Sequence, residues 1–359
     1  MKTRIEKILS KVHRTHKILE LGPSYNPAVT RKEGWNVYSL DHASGEELRR
    51  KYGSDPTVDA SRIQEVDFVW TGGPLESAIP EEHMGTFDVV IASHVIEHQP
   101  NLVGFFQSVS RMLKPDGLLS LAVPDKRFCF DYFMPLSLTG EILEAFGENR
   151  TRHTRTSKYN EIAYRALVDG VVGWMQGPIG KLSLIRGDVT EARRFFDAHS
   201  TAAESPYVDA HTWYFTPASF RLIIHELRTL NLIEFGEEEY FDPFGVEFYI
   251  SLRNGGADPT KSRMELLKQT LLDVREQTDF LVQSKAEKLQ YNQQSLTRVE
   301  ELEHELASLK EENLTRMEQL ERELASLKEE NLKMSVAMDR WNHRPWYSRA
   351  IHKLRLNGR

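Results

Sequence analysis

The stretch FDVVIASHVIEHQPNLVGFFQSVSRMLKPDGLLSLAVPD, residues 87–125, decides the fold of this chain. It begins with an apolar run over residues 87–93, continues with a helical pattern over residues 102–113, and ends with a second apolar run over residues 118–123. Strands that are apolar on both faces are typical of a buried parallel sheet covered by its crossover helices. The stretch therefore predicts a strand, a crossover helix and a second, parallel strand.

The same alternation extends to both sides of this stretch. Upstream, apolar runs that predict strands span residues 17–21, 36–40 and 66–70, and short helical patterns span residues 46–51 and 75–79. Downstream, Thr216 and Pro217 suit the N-cap and the first position of a helix. Two further apolar runs flank Asp242-Pro243-Phe244-Gly245, which is typical of a hairpin turn. The sequence predicts an α/β fold, a doubly wound sheet completed by an antiparallel hairpin.

The loop after the first predicted strand has the composition of a ligand-binding turn. In ILELGPSYNP, residues 18–27, Gly22 allows a close approach of the backbone to a ligand, while two prolines stiffen the loop. The GxGxxG turn of dinucleotide-binding proteins is missing, which argues against NAD and FAD. Asp41 follows the second strand about 20 residues later, where a carboxylate can accept hydrogen bonds from a ribose diol. These positions predict a nucleoside site.

Several of these motifs together resemble those of a known family. Glu20-Leu21-Gly22, Asp41, the loop at residues 93–98 and the turn at residues 113–117 resemble class I S-adenosylmethionine-dependent methyltransferases of the methyltransferase-11 type, over roughly residues 15–253. The resemblance implies a seven-stranded Rossmann-like sheet and S-adenosyl-L-methionine as the cofactor. It implies a methyltransferase domain over residues 1–255, with residues 126–215 inserted on the acceptor side.

The resemblance also implies a role for each matching residue. It places Glu20 and Gly22 at the methionine end of the cofactor and Asp41 at its ribose. It places Ser93 and His94 on the floor of the site, near the sulfonium. The residues implied to border the adenine are Val69, Trp70, Thr71 and Gly72. The acidic residue that the family often has in this last group is missing here.

Three segments resemble a more specialised group of bacterial proteins. EVDFVWTGGPLESAI, VPDKRFCFDYFMPLS and HTWYFTPASF are similar to segments of a bacterial methyltransferase subgroup associated with surface polysaccharide synthesis. This resemblance implies a sugar or glycan precursor as the acceptor, and O-methylation as the reaction.

Methyl transfer to a hydroxyl needs a base, because a neutral alcohol is a weak nucleophile. The candidate bases are His94, His98, Asp125, His153 and His211. Histidine suits the role because its ordinary pKa is near neutrality. His94 is the better placed of the first two, since the site lies at the strand ends, but the sequence does not single out one base.

Residues 126–215 also carry a basic cluster. Its members are Arg150, Arg152, His153, Arg155 and Lys158. We interpret it either as a solvated loop or as a clamp for a phosphate or carboxylate on the acceptor. The nearby pairs His94-Glu97 and Glu97-His98 lack a third ligand at metal spacing, so the sequence predicts no structural zinc and leaves a loosely held magnesium ion open.

Residues 260–344 contain neither glycine nor proline, and ELASLKEENL occurs in them twice, starting at Glu305 and Glu323. Apolar residues there follow one another at steps of three and four, which predicts a long coiled-coil helix over residues 260–340. We expect a homo-oligomer, or a partner protein that supplies the second helix. The basic aromatic tail, residues 341–359, is interpreted either as a disordered tail or as a segment that contacts an anionic membrane surface.

Composition narrows the possible functions. The net charge of −7 argues against nucleic acid as a partner. The single cysteine, Cys129, excludes an internal disulfide framework and, with an N-terminus too charged for a signal peptide, predicts a cytoplasmic protein that could associate with the inner membrane face. The alternatives to a glycan methyltransferase are an interaction protein on a methyltransferase scaffold and a small-molecule methyltransferase.

Overall fold

The computed structural model describes residues 2–327 except Thr57, Glu204 and Asp258. Its strands are β1 (Ile18–Leu21), β2 (Val37–Asp41), β3 (Phe68–Val69), β4 (Phe87–Ser93), β5 (Leu113–Pro124), β6 (Ala166–Val168), β7 (Leu182–Leu184), β8 (Gly236–Phe244) and β9 (Glu247–Arg253). Seven of them form one sheet in the order β3-β2-β1-β4-β5-β9-β8, and β6 pairs with β7. Strands β1 to β5 are parallel, and β9 is antiparallel to both β5 and β8. The predicted seven-stranded doubly wound sheet is thereby confirmed.

The helices are α1 (Arg4–Ile8), α2 (Gly45–Tyr52), α3 (Leu102–Met112), α4 (Thr139–Gly147), α5 (Arg155–Ala163), α6 (Val189–Ala198), α7 (Pro217–Thr229) and α8 (Arg263–Leu327). The helix predicted at residues 75–79 is a short 3-10 turn, Leu75–Ala78. At the start of α7, the Thr216 side chain accepts a hydrogen bond from the backbone N–H of Ser219, and Pro217 is the first helical residue, as predicted.

Strand β4 shows why its sequence is apolar throughout. Val90 and Ala92 belong to a large buried cluster, while Val89 and Ile91 belong to a second buried cluster. Alternate side chains of a strand point to opposite faces, so both faces of this sheet are covered. In the sheet β1 lies between β2 and β4, which is where the strand order reverses and where such sheets bind ligands.

The closing hairpin turns later than the sequence predicts. Strand β8 continues through Asp242 and Pro243 to Phe244, and the turn itself is made by Gly245 and Val246. Gly245 has φ of 67°, a conformation that glycine adopts without strain. Proline lacks a backbone N–H, but β8 is an edge strand whose register shifts between Phe241 and Phe244, so Pro243 is accommodated there.

By its internal contacts the chain divides into residues 1–285 and residues 286–359. Helix α8 begins inside the first of these units and packs against it. Leu266 is buried, Asp273 accepts a hydrogen bond from the backbone N–H of Ala218, and the Gln277 side chain donates one to the carbonyl of Tyr132. The opening turns of α8 are thus part of the sheet unit, although the sequence predicts a coiled coil from residue 260.

In the second unit α8 continues to Leu327. The seam residues Leu302, Leu306 and Leu309 are about half exposed in the single chain. Pairing of this helix with another stays a prediction, and residues 341–359 and the end of the second ELASLKEENL repeat lie outside the described residues. Within residues 2–327, no helix combines the length and the apolarity needed to cross a bilayer.

Candidate active site

A cavity of about 860 Å³ opens at the carboxyl ends of β1, β2 and β4. Many of the residues predicted for the site line it: Glu20, Gly22, Asp41, Trp70, Ser93, His94 and His98. The cavity also contains residues that the sequence analysis did not single out, among them Arg4, Tyr207 and Glu247. The fold therefore gathers the predicted cofactor residues and two candidate bases around one space at the reversal point of the sheet.

Gly22 closes β1 in a conformation that most residues avoid. Its φ is 59°, and a Cβ atom built there would lie 3.2 Å from Cγ2 of Val95. Any side chain at this position would be strained and would press against the wall of the cavity. Glycine is therefore required at this position even though the GxGxxG motif is missing, because Gly22 lets the backbone turn tightly beside the cavity.

Glu20 is a buried carboxylate on the cavity wall. Its Oε1 accepts a hydrogen bond of 2.6 Å from the backbone N–H of Ala28, whereas Oε2 has no hydrogen-bond partner among the described residues. Burial raises the pKa of Glu20 to about 7, although the N–H groups of Ala28 and Val29 act in the opposite direction. A buried carboxylate with one oxygen left without a hydrogen-bond partner suits a cationic group of a ligand.

Asp41 is also buried, and it organises the loop that follows β1. Its Oδ2 accepts a hydrogen bond of 2.9 Å from the backbone N–H of Ser24, and its Oδ1 accepts one of 2.7 Å from the N–H of His42. Each carboxylate oxygen can accept more than one hydrogen bond. Asp41 can therefore hold the Ser24 loop and still accept hydrogen bonds from a ribose hydroxyl.

The floor of the cavity is a network between β4, β9 and α1. His94 Nε2 lies 2.8 Å from Glu247 Oε2, and Arg4 donates hydrogen bonds to Glu247 Oε1 and to Ser93 Oγ, both at 2.6 Å. Burial alone would raise the pKa of Glu247, but hydrogen bonds from His94 and Arg4 outweigh it and lower the pKa to about 2. His94 itself has φ of 54°, which strains a non-glycine residue. The network holds the His94 ring in one orientation.

His98 lies where the cavity meets the insert. Its Nδ1 is 2.8 Å from Asp209 Oδ1, and the hydroxyl of Tyr207 donates to the same Asp209 oxygen at 3.0 Å. Burial lowers the pKa of His98, but the Asp209 hydrogen bond and the charge of Glu97 outweigh it, so the pKa is raised. Trp70 meets Tyr207 edge to face, with ring centroids 5.4 Å apart. This wall is polar and aromatic.

Asp125 does not reach the cavity. It is fully buried, and its Oδ2 accepts a hydrogen bond of 2.6 Å from Arg127, which also donates to Glu276 of α8. The carboxylate that the sequence offers as a base is thus one partner of a buried ion pair. Its role in the structure is to fix the chain after β5.

His153 and His211 also lie outside the cavity lining. His153 is buried between the hydroxyls of Thr212 and Tyr207, and burial lowers its pKa to about 3, so its ring is neutral at physiological pH. His211 lies behind His98, with ring centroids 4.5 Å apart. Of the five candidate bases, His94 and His98 are therefore the two that line the cavity.

The residues of the basic cluster form ion pairs and hydrogen bonds with other residues of the same chain. Arg150 pairs with Glu148, Lys158 pairs with Glu161, and Arg155 donates to the carbonyl of His199. Arg152 donates to the carbonyl of Ser205 and approaches Gly72, with Nη1 3.2 Å from where a Cβ of Gly72 would be. The cluster does not line the cavity, and neither do Thr71 and Gly72, whose place beside the adenine stays a prediction.

Two of the missed residues carry sequence signals that were weak. Asp209 lies two residues before His211 in a polar stretch, and Arg4 belongs to a basic N-terminus. Glu247 begins a strand and resembles any polar residue at a hairpin. Only the antiparallel pairing of β9 with β5, which sets Glu247 opposite Pro124, brings its carboxylate to the end of β4.

A doubly wound sheet in this strand order, with a carboxylate-lined cavity at its reversal point, defines a class I methyltransferase fold. The model of a family described as a methyltransferase domain matches residues 1–226. The chain belongs to this family, and its cofactor is S-adenosyl-L-methionine. The residues of the cavity fit that cofactor, since Glu20 has an unpaired oxygen suited to a cationic group and Asp41 has spare acceptor capacity.

The chain is similar, at low sequence identity, to several solved methyltransferase structures. A protein from Mesorhizobium loti has 12% identity and a TM-score of 0.36, covering 70% of this chain and 98% of that one. A protein from Methanosarcina mazei has 13% identity and a TM-score of 0.33, covering 69% and 96%. The 1,6-didemethyltoxoflavin-N1-methyltransferase of Burkholderia thailandensis, solved with S-adenosylhomocysteine, has 12% identity and a TM-score of 0.34, covering 70% and 76%. No curated protein matches the sequence.

Proposed function

We propose that this methyltransferase O-methylates a sugar hydroxyl of a glycan or glycan precursor, as the likeness of its sequence to a polysaccharide-associated subgroup suggests. The observation that carries the proposal is that His94, a histidine oriented by a buried carboxylate, shares one cavity with the residues that fit the cofactor. The cofactor supplies a methyl group already activated on a positive sulfur. The protein must then align the acceptor and remove its proton.

His94 is the general base in this proposal. Glu247 holds its Nε2, and Arg4 holds Glu247 in turn, so the ring is fixed at the end of β4 beside Ser93. The other ring nitrogen, Nδ1, lies 3.6 Å from Glu97 Oε1 and is the atom that takes the proton from the substrate hydroxyl. A carboxylate that orients a histidine in this way is common among general bases.

The wall on the insert side supports a sugar as the acceptor. It combines the aromatic rings of Trp70 and Tyr207 with the polar groups of His98 and Asp209. Such rings present an apolar face and a polar edge, which suits a molecule with apolar C–H faces and a rim of hydroxyls.

The direct experiment compares surface glycans from wild-type cells and from cells that lack the gene. Mass spectrometry is expected to find a glycan component that is lighter by one CH₂ in the deletion strain, and the complemented strain is expected to regain it. In vitro, the purified protein is expected to transfer a labelled methyl group from the cofactor to the lighter glycan, and the His94→Gln variant is expected to do so far more slowly. Identical glycans in both strains would count against this acceptor class.

We further propose that α8 assembles the enzyme into a homo-oligomer through its leucine seam. The seam residues Leu302, Leu306 and Leu309 are about half exposed in one chain, at steps of three and four residues. A stripe of this kind is covered when identical helices pair. Contact of residues 341–359 with an anionic membrane surface is proposed on sequence alone, and sedimentation with vesicles, with and without that segment, tests it.

A further inference from the structure

Glu97 has a buried carboxylate with unusual surroundings. It lies in the short turn Ile96–His98 that follows β4, and only 1% of the residue is exposed. Neither Oε1 nor Oε2 has a hydrogen-bond partner within the part of the chain that the structure describes. A buried ionised carboxylate is costly unless a cation or hydrogen-bond donors compensate it. The position of Glu97 therefore points to a positive group that would complete it.

Three imidazole nitrogens lie near this carboxylate. Glu97 Oε1 is 3.6 Å from His94 Nδ1, 3.7 Å from His98 Nε2 and 4.0 Å from His211 Nε2. For Glu97, His98 and His211, one ligand atom from each residue can be chosen so that all three lie within 4.8 Å of one another. These distances are too long for hydrogen bonds. Zinc–ligand bonds of about 2.1 Å at tetrahedral angles place ligand atoms roughly 3.4 Å apart, so small side-chain rotations would bring them into coordination distance.

His98 and His211 are both oriented as histidine ligands of metals usually are. His98 Nδ1 lies 2.8 Å from Asp209 Oδ1, and His211 Nδ1 lies 2.6 Å from Asp131 Oδ2. A carboxylate that accepts the Nδ1 proton fixes the tautomer in which Nε2 carries the free lone pair. In each ring that Nε2 is the atom that faces Glu97. Two independent carboxylate–histidine pairs thus converge on one acidic group.

We propose that Glu97, His98 and His211 bind one divalent transition-metal ion such as Zn²⁺. Two imidazoles and one carboxylate suit zinc and related ions, whereas Mg²⁺ prefers oxygen ligands. The sequence hides this site, because His211 is far along the chain from the Glu97-His98 pair, and only the packing of the insert against the turn after β4 supplies the third ligand.

The site borders the cavity, since His98 belongs to its lining. Three protein ligands leave a coordination position for water or for a substrate oxygen. An ion there would lower the pKa of a coordinated acceptor hydroxyl and so ease its deprotonation. This catalytic role rests on the proposed O-methylation, whereas the binding of the ion does not.

The test is a Zn²⁺ titration of the full-length protein, without a histidine tag and after treatment with a chelator. Calorimetry is expected to show one Zn²⁺ per chain and much weaker binding of Mg²⁺. Glu97→Gln and His98→Gln are each expected to weaken Zn²⁺ binding by more than about tenfold, and Asp131→Asn, which removes the carboxylate behind His211, by about 10-fold to 100-fold. His225→Gln, which removes a histidine of α7, is the matched control and is expected to bind Zn²⁺ as the wild type does.

Cofactor binding measured on the same samples separates lost ligands from lost folding. A variant that binds the cofactor normally but has lost Zn²⁺ supports the site. Wild-type protein that binds the cofactor but takes up no Zn²⁺ would overturn the proposal, as would uptake that is unchanged in both Glu97→Gln and His98→Gln. Normal Zn²⁺ uptake without methyl transfer to any glycan would count against the proposed function alone.

Discussion

The imidazole of His94 and the carboxylate of Glu247 meet at 2.8 Å across the floor of the cavity, joining the end of β4 to the start of β9. Arg4 of α1 donates a second charged hydrogen bond to the same carboxylate. Three elements that are distant in the chain thereby hold one histidine ring beside the residues that are predicted to bind the cofactor.

Replacement of Glu247 by glutamine is expected to lower turnover by about tenfold or more, because His94 loses the charge that orients it. Cofactor affinity should change little, since Glu20 and Asp41 remain. Initial rates and calorimetry measure the two effects separately. An equal loss of cofactor affinity and turnover would mean that Glu247 supports binding and not the base.

The same residue makes a prediction about acid stability. The folded-state pKa of Glu247, about 2, lies below its unfolded value, so its ion pairs stabilise the fold above about pH 4.5 and this stabilisation is lost as the pH falls toward 2. Urea unfolding should therefore show the largest difference between wild type and Glu247→Gln near neutral pH and a smaller one near pH 3. The exposed Glu82→Gln variant is the control, and it should follow the wild type throughout.

Glu20 is expected to make cofactor affinity depend on pH. Its pKa in the free protein is raised to about 7, and the ionised form is the one that attracts a cationic ligand. Affinity should therefore increase by up to about tenfold as the pH rises from about 6 to about 8, since the carboxylate changes from mostly protonated to mostly ionised. Calorimetry on Glu20→Gln supplies the comparison. Parallel pH profiles for both proteins would refute a role for this carboxylate.

Substitution of Asp41 by alanine is expected to weaken cofactor binding by roughly tenfold to a hundredfold, because a buried acceptor of hydrogen bonds from the ribose is lost. Asp41 also holds the backbone N–H of Ser24, so the loop at the methionine end loses support as well. Asp41→Asn separates the two effects, since it keeps one acceptor oxygen. Unchanged affinity in Asp41→Ala would contradict the proposed ribose site.

Arg127 is expected to contribute to stability and not to chemistry. It is buried and paired with Asp125, so Arg127→Ala leaves an uncompensated buried carboxylate and should cost about 3–5 kcal/mol in the free energy of unfolding. Arg193, exposed and paired with Asp197 one helical turn away, is the control, and its alanine variant should unfold at nearly the same urea concentration as the wild type. Urea unfolding measures both. Equal stabilities of the two variants would show that the buried pair is not a structural support.

Self-association is tested on the full-length chain. Light scattering is expected to give a multiple of the single-chain mass for the wild type and for the control Glu303→Lys. Glutamate at both Leu306 and Leu309 is expected to reduce the mass toward that of one chain, since charges on the seam repel each other when helices pair. A monomeric wild type would exclude a homo-oligomer under those conditions.

The sequence predicted the sheet well because strand identity depends on local pattern. The runs ending near Leu21, Leu40 and Ser93 are apolar on both faces, and such segments can be buried only inside a covered parallel sheet. Gly22 and Asp41 could be predicted to share one cavity for a similar reason, since the carboxyl ends of neighbouring parallel strands meet at one edge. The turn of the hairpin was predicted too early in the chain, because Pro243 is typical of turns. Its position on an edge strand, where proline is tolerated, depends on the tertiary structure.

Candidate bases could not be ranked in the same way. Asp125 and His94 both follow a strand, and the sequence does not distinguish them. The structure does, because Arg127 pairs with Asp125 inside the protein whereas His94 faces the cavity. Likewise, the sequence does not show whether the basic residues near Arg152 are available to bind a ligand. Only the fold shows that groups of the same chain are their hydrogen-bond partners.

By itself the sequence determined the strands, the crossover helix after β4 and the edge of the sheet at which the cavity opens, because hydrophobic period and turn chemistry are encoded within a few neighbouring residues. Only the tertiary structure decided which polar groups meet. Glu247 reaches His94, and His211 reaches Glu97, through strand pairing and the packing of the insert. Contacts between distant residues depend on how whole elements pack, and no local pattern specifies that.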